Sequence, residues 1–344
     1  MQAAMKDSNY RVLLTGHMGF IGAWTAFLFK REGWRVYGLD DRSSYGERLY
    51  DVAGMNTLMD GERECDVSDL AAWQEWVTQI QPKLIVHLAG QAIVPRAFKQ
   101  PYLTYRSNAL GTLAVLEAAR LTESVRAAVC ITSDKVYENN SDGHPFSETD
   151  PLGGGDVYSV SKSSSELIAK AYNNAHRVGS ALNIQTVRLG NVVGGGDWSI
   201  NRLIPDLIHA ARGDRSFRVR YMDATRPFQH VSDVAKGISR IALAALDGGI
   251  PSGEAWNLGP KDSSFARVRD VIELFKEYYP DLDVIDEEEK VKEDLNLSVN
   301  VAKYSSRFAP PRDNSVEGLY RTMKWYQAYY AGTSPIKLME SDLY

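Results

Sequence analysis

The strongest constraint in this chain is a short apolar strand that runs straight into three spaced glycines. Arg11–Thr15 reads RVLLT, and Gly16-His17-Met18-Gly19-Phe20-Ile21-Gly22 follows, ahead of a helical pattern over Gly19–Glu32. A G-x-x-G-x-x-G loop between strand and helix lets the backbone turn tightly and approach a pyrophosphate. The helix N-terminus adds free N–H groups and the positive end of its dipole. The second strand, Arg35–Asp40, ends on an acid 18 residues after Gly22. A carboxylate there accepts hydrogen bonds from an adenosine ribose, which favours NAD over NADP, although Arg42 nearby leaves some room for NADP. Asp66 ends the next strand-like segment, where a carboxylate suits an adenine amino group.

The same alternation continues. Leu84–Leu88 and Ala127–Thr132 are apolar runs of strand length, with helical stretches at Leu70–Gln81, Tyr102–Thr122 and Val157–His176. Regular alternation predicts parallel strands joined by right-handed helical crossovers, buried on both faces. After about Asn191 the texture changes. Gly194, Gly195 and Gly196 interrupt it, then helical patterns recur at Leu203–Arg212, Ser232–Leu246 and Val268–Tyr279, and the acidic run Asp286–Glu289 reads as a solvated turn. The expected fold is α/β, a Rossmann-type doubly wound parallel sheet with a smaller C-terminal substrate-binding domain. Residues 1–190 plus about 228–256 are expected to bind the dinucleotide, and about 191–227 plus 257–344 the substrate.

Composition removes several function classes. Thirty-nine basic against 44 acidic residues give a net charge of −5, so the basic field that nucleic acid requires is absent. Two cysteines, Cys65 and Cys130, cannot build a disulfide framework or a Cys-rich zinc site, and both sit in apolar runs that suit buried, reduced thiols. Six histidines lack metal-ligand spacing, and no metal is expected; His87, inside an apolar strand, reads as packed. No apolar run reaches the roughly 18 residues of a membrane span. MQAAMKDSNY carries no apolar leader segment, which points to the cytoplasm.

Two polar groups of residues carry chemistry. Tyr158 and Lys162 stand four apart near the start of a helix, hence on one face, where an ammonium lowers the pKa of a phenol. Thr132-Ser133-Asp134-Lys135 follows an apolar strand, at the end where doubly wound sheets bind ligands.

With the glycine loop and Asn108-Ala109-Leu110-Gly111-Thr112, these residues resemble the extended short-chain dehydrogenase/reductase superfamily across nearly the whole chain. Within it, several motifs are similar to the CDP-glucose 4,6-dehydratase branch: Thr132–Asn139 (TSDKVYEN), Leu152–Asp156 (LGGGD), Gly190–Trp198 (GNVVGGGDW), Arg202-Leu203-Ile204-Pro205 and Arg226–Val231 (RPFQHV). Other nucleotide-sugar 4,6-dehydratases usually carry Asp-Glu in place of Asp134-Lys135, and epimerases usually lack the acid pair. Two stretches depart from the branch, Asn140–Glu148 and Asp40-Asp41-Arg42-Ser43-Ser44; they bear on the sugar and the nucleotide base.

The resemblance implies that NAD is held by the glycine loop with Phe20 and Ile21, by Asp40, Asp66, Val67, Leu88, Ala89 and Asn108, and by Tyr158 and Lys162. It implies oxidation at C4 of a nucleotide-diphosphate sugar, loss of water across C5/C6, and hydride return to C6. Tyr158 would take the 4-OH proton and Ser133 hydrogen-bond the same oxygen; Asp134 would protonate the leaving 6-OH. Lys135 would remove the C5 proton, which requires a depressed pKa from burial or from Lys162, or would only position water or the sugar. Asn191, Arg202 and Arg226 are the expected diphosphate ligands. A homodimer through Tyr102–Thr122 and Val157–His176 is also implied. An epimerase or simple dehydrogenase shares Tyr158 and Lys162 without needing Asp134-Lys135; a non-enzymatic dinucleotide sensor needs neither pair.

Overall fold

A computed structural model of the chain describes residues 10–42, 46–139, 143–175, 182–213, 216–219, 221–287 and 297–344. Its centre is a seven-stranded sheet made from β1 (Arg11–Thr15), β2 (Arg35–Asp40), β3 (Gly61–Glu64), β4 (Leu84–His87), β5 (Ala127–Ile131), β6 (Asn183–Leu189) and the late strand Ala255–Leu258. The spatial order is Ala255–Leu258, β6, β5, β4, β1, β2, β3, and every pairing is parallel. The chain therefore winds outward from β1 in one direction and from β4 in the other. The carboxyl ends of β1 and β4 flank the switch point, where a doubly wound sheet opens a crevice.

Strand periodicity distributes the core. Val12, Leu14 and Val86 point to one face and join the larger apolar cluster with Trp24, Phe27 and Ile238, from helices Phe20–Arg31 and Val231–Leu246. Leu13, Leu39 and Ile85 point to the other, against Trp73, Val77 and Val115 of helices Leu70–Ile80 and Gly111–Arg120. Burial on both sides explains why the strands read as apolar throughout.

Three small ribbons follow β6. Asn191–Val193 pairs in parallel with Phe228–His230, Thr225–Arg226 antiparallel with Ala266–Arg267, and Phe217–Val219 in parallel with Val284–Asp286. With helices Leu203–Arg212 and Val268–Tyr278 they supply the wall opposite the strand ends.

Some expectations are refined. The helical stretch expected over Tyr102–Thr122 is continuous from Pro101 to Arg120, with a π turn, Arg106–Leu110, between Pro101–Tyr105 and Gly111–Arg120. The acidic run is not simply a turn, since Asp286 closes a strand and Glu287 pairs with Arg218, while Glu288 and Glu289 lie outside the described residues. Cys130 is buried, but Cys65 is only half-buried.

Candidate active site

The glycine loop is built by close backbone approach. Gly16 has φ of +67°, and a Cβ there would stand 2.7 Å from the amide nitrogen of Ala89. A Cβ on Gly22 would stand 2.0 Å from the carbonyl oxygen of Gly16. Side chains are excluded at both positions, so the loop closes tightly over the end of β1. The helix that follows, Phe20–Arg31, receives no side-chain cap and has no acidic residue in its first turn. Its leading N–H groups thus remain available to an anion, which fits the pyrophosphate of a dinucleotide. The Asp40 carboxylate accepts from the amides of Met18 at 3.2 Å and Arg42 at 2.9 Å, and burial pushes its pKa up. Ser43 and Ser44 lie outside the described residues.

Beneath this loop His17 is fully buried and bonds Glu62 at 2.7 Å; Tyr50 donates its hydroxyl to the same carboxylate. No sequence spacing announced this group, because its members come from three separate segments.

Other residues expected at the dinucleotide are engaged with the protein. Val67 is buried and packs on Gly111, where a Cβ would come within 2.7 Å of its Cγ1. Burial raises the pKa of Asp66, but hydrogen bonds from Ser68 and the guanidinium of Arg106 outweigh it and hold the carboxyl below its usual range. Asn108, carried on the π turn, donates to the Gln91 carbonyl at 3.1 Å and to Ser161 Oγ at 2.8 Å, and accepts from the Gln91 amide at 2.8 Å. Its carboxamide fastens the loop after β4 to the Tyr158 helix, which is a positioning task. Leu88 and Ile21 do line the cleft, whereas the Ala89 amide donates to Thr15 Oγ1 at 3.0 Å. His87 bridges Thr15 and Thr112, and burial drives its pKa down to about 3, which keeps it neutral as packing requires.

The cleft has a volume of ≈ 400 Å³ and brings together Ser133, Asp134, Lys135, Tyr158 and Lys162. Asp156 starts the Val157–Ala175 helix by accepting from the amides of Tyr158 and Ser159, which aims Tyr158 from the first turn. A tight turn, Asp134–Val136, follows β5 directly, with Ser133 as its cap.

The electrostatics differ from expectation in one respect. Lys162 Nζ donates to the Ile131 carbonyl at 3.2 Å, and burial pushes its pKa down to about 8. Tyr158 is pushed up to about 12 by burial, with the Ser133 hydroxyl as the main opposing influence. The ammonium therefore does not hold the phenol down in the protein alone. Asp134 is 4% exposed, its Oδ2 has no hydrogen-bond partner, and burial raises its pKa to about 6 against the pull of Lys135, Ser133 and Arg226. Such a carboxyl is a ready proton donor near neutral pH.

Asn191, Arg202 and Arg226 all reach the cleft from the second half of the chain. Arg202 Nη1 donates to Asp197 at 3.2 Å, and Arg226 Nη1 to the Thr225 carbonyl at 2.8 Å. Sequence reading missed Arg218, which adds a cation at the same wall and pairs with Glu287. Among the described residues no group of three or more His, Cys, Asp or Glu side chains converges on one point, and no helix is long and apolar enough to cross a membrane.

Comparison with known proteins agrees with this fold. Residues 12–259 match the model of the NAD dependent epimerase/dehydratase family. The chain is 31% identical to a CDP-glucose 4,6-dehydratase of Salmonella typhimurium, over 95% of this chain and 94% of that one. Among solved structures it resembles a dTDP-glucose 4,6-dehydratase from Streptomyces venezuelae crystallised with NAD (TM-score 0.80, 23% identity, 95% and 99% of the two chains covered). It also resembles a UDP-glucose 4-epimerase from Thermotoga maritima (TM-score 0.79, 20% identity, 93% and 99% covered).

Proposed function

The chain belongs to the NAD dependent epimerase/dehydratase family, and from that premise we propose that it is a nucleotide-sugar 4,6-dehydratase converting CDP-glucose to CDP-4-keto-6-deoxyglucose. The observation that carries the reading is the Asp134 carboxyl, buried, unpartnered at Oδ2 and raised to about 6. Hydride chemistry at C4 needs only Tyr158 and its lysine. An acid whose pKa is raised toward neutrality beside them has a task only if a C–O bond is to break.

Ser133 orients the sugar 4-OH, and Tyr158 removes its proton. NAD, which the Gly16–Gly22 loop and Asp40 would hold, would supply the hydride acceptor for C4, the hydride donor for C6 and a positive charge that favours the phenolate. The C5 proton that the 4-ketone has acidified passes to Lys135 as the neutral amine, or to a water that Lys135 positions. As the C5=C6 bond forms, the C6–O bond breaks and Asp134 gives its proton to the departing hydroxyl, releasing water. Reduction at C6 then needs one proton back at C5, which Lys135 or that water returns. Arg202, Arg226 and Asn191 hold the substrate diphosphate. The choice of CDP-glucose is supported by the 31% identical relative and by the TSDKVYEN stretch, Thr132–Asn139.

Under this reading, residues 1–190 with about 228–256 carry the dinucleotide, and about 191–227 with 257–344 the sugar nucleotide. A homodimer is also proposed. Its support is the row of exposed apolar side chains on adjoining helices, Phe98, Tyr102, Leu110, Leu113, Val160 and Leu167. The cytoplasm is the proposed compartment, in keeping with two unpaired thiols.

The deciding experiment is incubation with CDP-, dTDP-, GDP- and UDP-sugars, read by mass spectrometry. Loss of one water from CDP-glucose is the expected result. Unchanged mass with altered stereochemistry would make it an epimerase, and no turnover at all a sensor.

A further inference from the structure

We infer that the buried Glu166–Arg188 ion pair is a clamp that fixes both ends of the Ser133-Asp134-Lys135 segment against the Tyr158 helix. Glu166 and Arg188 are positioning residues here, and the inference rests on the dehydratase reading. Both side chains are only 4% exposed, and Arg188 Nη2 meets Glu166 Oε2 at 2.9 Å. Glu166 sits one turn beyond Lys162, on the helix that also carries Tyr158. Its Oε1 accepts from Thr132 Oγ1 at 2.5 Å, and its Oε2 also from Thr186 Oγ1 at 2.9 Å. Thr132 is the residue immediately before Ser133.

The other half of the pair holds the other end. Arg188 Nη1 donates to the Tyr137 hydroxyl at 2.9 Å, and its guanidinium stands 4.9 Å from the centre of that ring. Tyr137 follows the turn Asp134–Val136 and donates in turn to Asn257 Oδ1 at 2.6 Å. Arg188 also donates to the Glu148 carbonyl at 3.2 Å, while Glu148 accepts from the Asn257 amide at 2.8 Å. One ion pair thus reaches residues 132 and 137, with the three reacting side chains suspended between them.

Stability alone is a poor reason for such a pair. Buried ion pairs can often be replaced by apolar residues without loss, and in several systems what they add is a single arrangement of the parts they join. Here the parts are the helix bearing Tyr158 and Lys162, the segment bearing Asp134 and Lys135, and β6. Misplacement of reacting groups by about 1 Å costs on the order of a hundredfold in rate. The charge of Glu166 also resists the burial that pushes the Lys162 amine down.

The test uses the NAD-loaded protein with CDP-glucose. Glu166→Leu combined with Arg188→Met removes both charges together and avoids leaving either one alone in the core. This double variant should unfold cooperatively near the wild-type temperature and bind NAD normally. Its kcat should fall about thirtyfold or more, with KM within about threefold, and the amides of Ser133–Val136 should exchange about tenfold faster. Tyr137→Phe cuts only one tie and leaves the pair in place, so it serves if the double variant does not fold; it should lose about fivefold in kcat with the same local rise in exchange. Wild-type kcat with unchanged exchange at Ser133–Val136 in the folded variant would overturn the clamp. Should the wild-type protein be inert to every sugar nucleotide, the dehydratase reading fails alone, and hydrogen exchange still decides the clamp.

Discussion

Lys162 lies four residues beyond Tyr158 on one helical face, yet its Nζ donates to the Ile131 carbonyl at 3.2 Å while the phenol answers to Ser133. The proximity that the spacing provides has not yet become a bond. With Tyr158 at about 12 and Lys162 at about 8, the phenol keeps its proton in the protein alone. Under the proposed function, the positive charge of bound NAD would favour the phenolate.

Tyr158→Phe deletes only the ionisable oxygen. Turnover should drop at least about a hundredfold while NAD binding, followed by tryptophan fluorescence, stays within a few-fold of wild type. Near-normal turnover would remove Tyr158 from the proton transfer.

Asp134 makes a stability prediction with a definite sign. Its carboxyl titrates near 3.8 in the unfolded chain and at about 6 in the fold, so the native state binds the extra proton between those values. Its contribution to stability is fully present below 3.8 and lost as pH rises through about 6. Asp134→Asn should therefore stabilise the protein above pH 6, by up to about 3 kcal/mol, and give no such gain in acid. Thermal melts on either side of that window check it; an equal shift at both pH values would contradict the assignment.

Elimination and redox chemistry should separate. Asp134→Asn and Lys135→Met should both still oxidise C4, so NADH absorbance appears on mixing with CDP-glucose, while dehydrated product forms slowly or not at all. Lys135→Met should also lose exchange of the C5 proton with heavy water, whereas Asp134→Asn should keep much of it. A Lys135→Met enzyme that exchanges and dehydrates at the wild-type rate makes that amine a bystander.

Cofactor choice should follow Asp40. The protein is expected to bind NAD more tightly than NADP, and Asp40→Ala should narrow the gap by about tenfold, the scale of one lost charge-assisted hydrogen bond. Tighter binding of NADP by the unmodified protein would show that the carboxylate does not face the ribose.

Association should depend on the exposed apolar helix faces. Leu113→Glu together with Leu167→Glu should convert a dimer to monomer in sedimentation velocity without changing the circular dichroism spectrum. A wild-type protein that sediments as a monomer at micromolar concentration would end the proposal.

Much of this arrangement is legible in the amino acids. Arg11–Thr15, Arg35–Asp40 and Leu203–Arg212 have the bounds that their patterns predict, because each apolar run ends where a glycine turn or a polar loop follows. The π turn at Arg106–Leu110 was hidden, since one extra residue in a turn barely disturbs a periodicity averaged over the whole stretch. The packing of Val67 on Gly111 was equally hidden, because nothing in the sequence says that the two meet. The pKa of Tyr158 follows chiefly from its burial, and spacing along a helix does not fix that. Glu166 and Arg188 look like ordinary surface charges until the helix and β6 are laid side by side.

The strand Ala255–Leu258 has a consequence for biosynthesis. It pairs with β6 from Ala255↔Thr186 to Leu258↔Leu189, so the sheet acquires its last member only after everything from Gly190 to Glu254 has left the ribosome. During that interval the nascent chain holds an apolar edge with unsatisfied amides, the kind of template that captures other extended chains. Parallel pairing over such a sequence separation is slow to form. Premature termination between residues 190 and 254 should therefore yield insoluble product, even though the whole glycine loop and both halves of the tyrosine–lysine pair have already been synthesised.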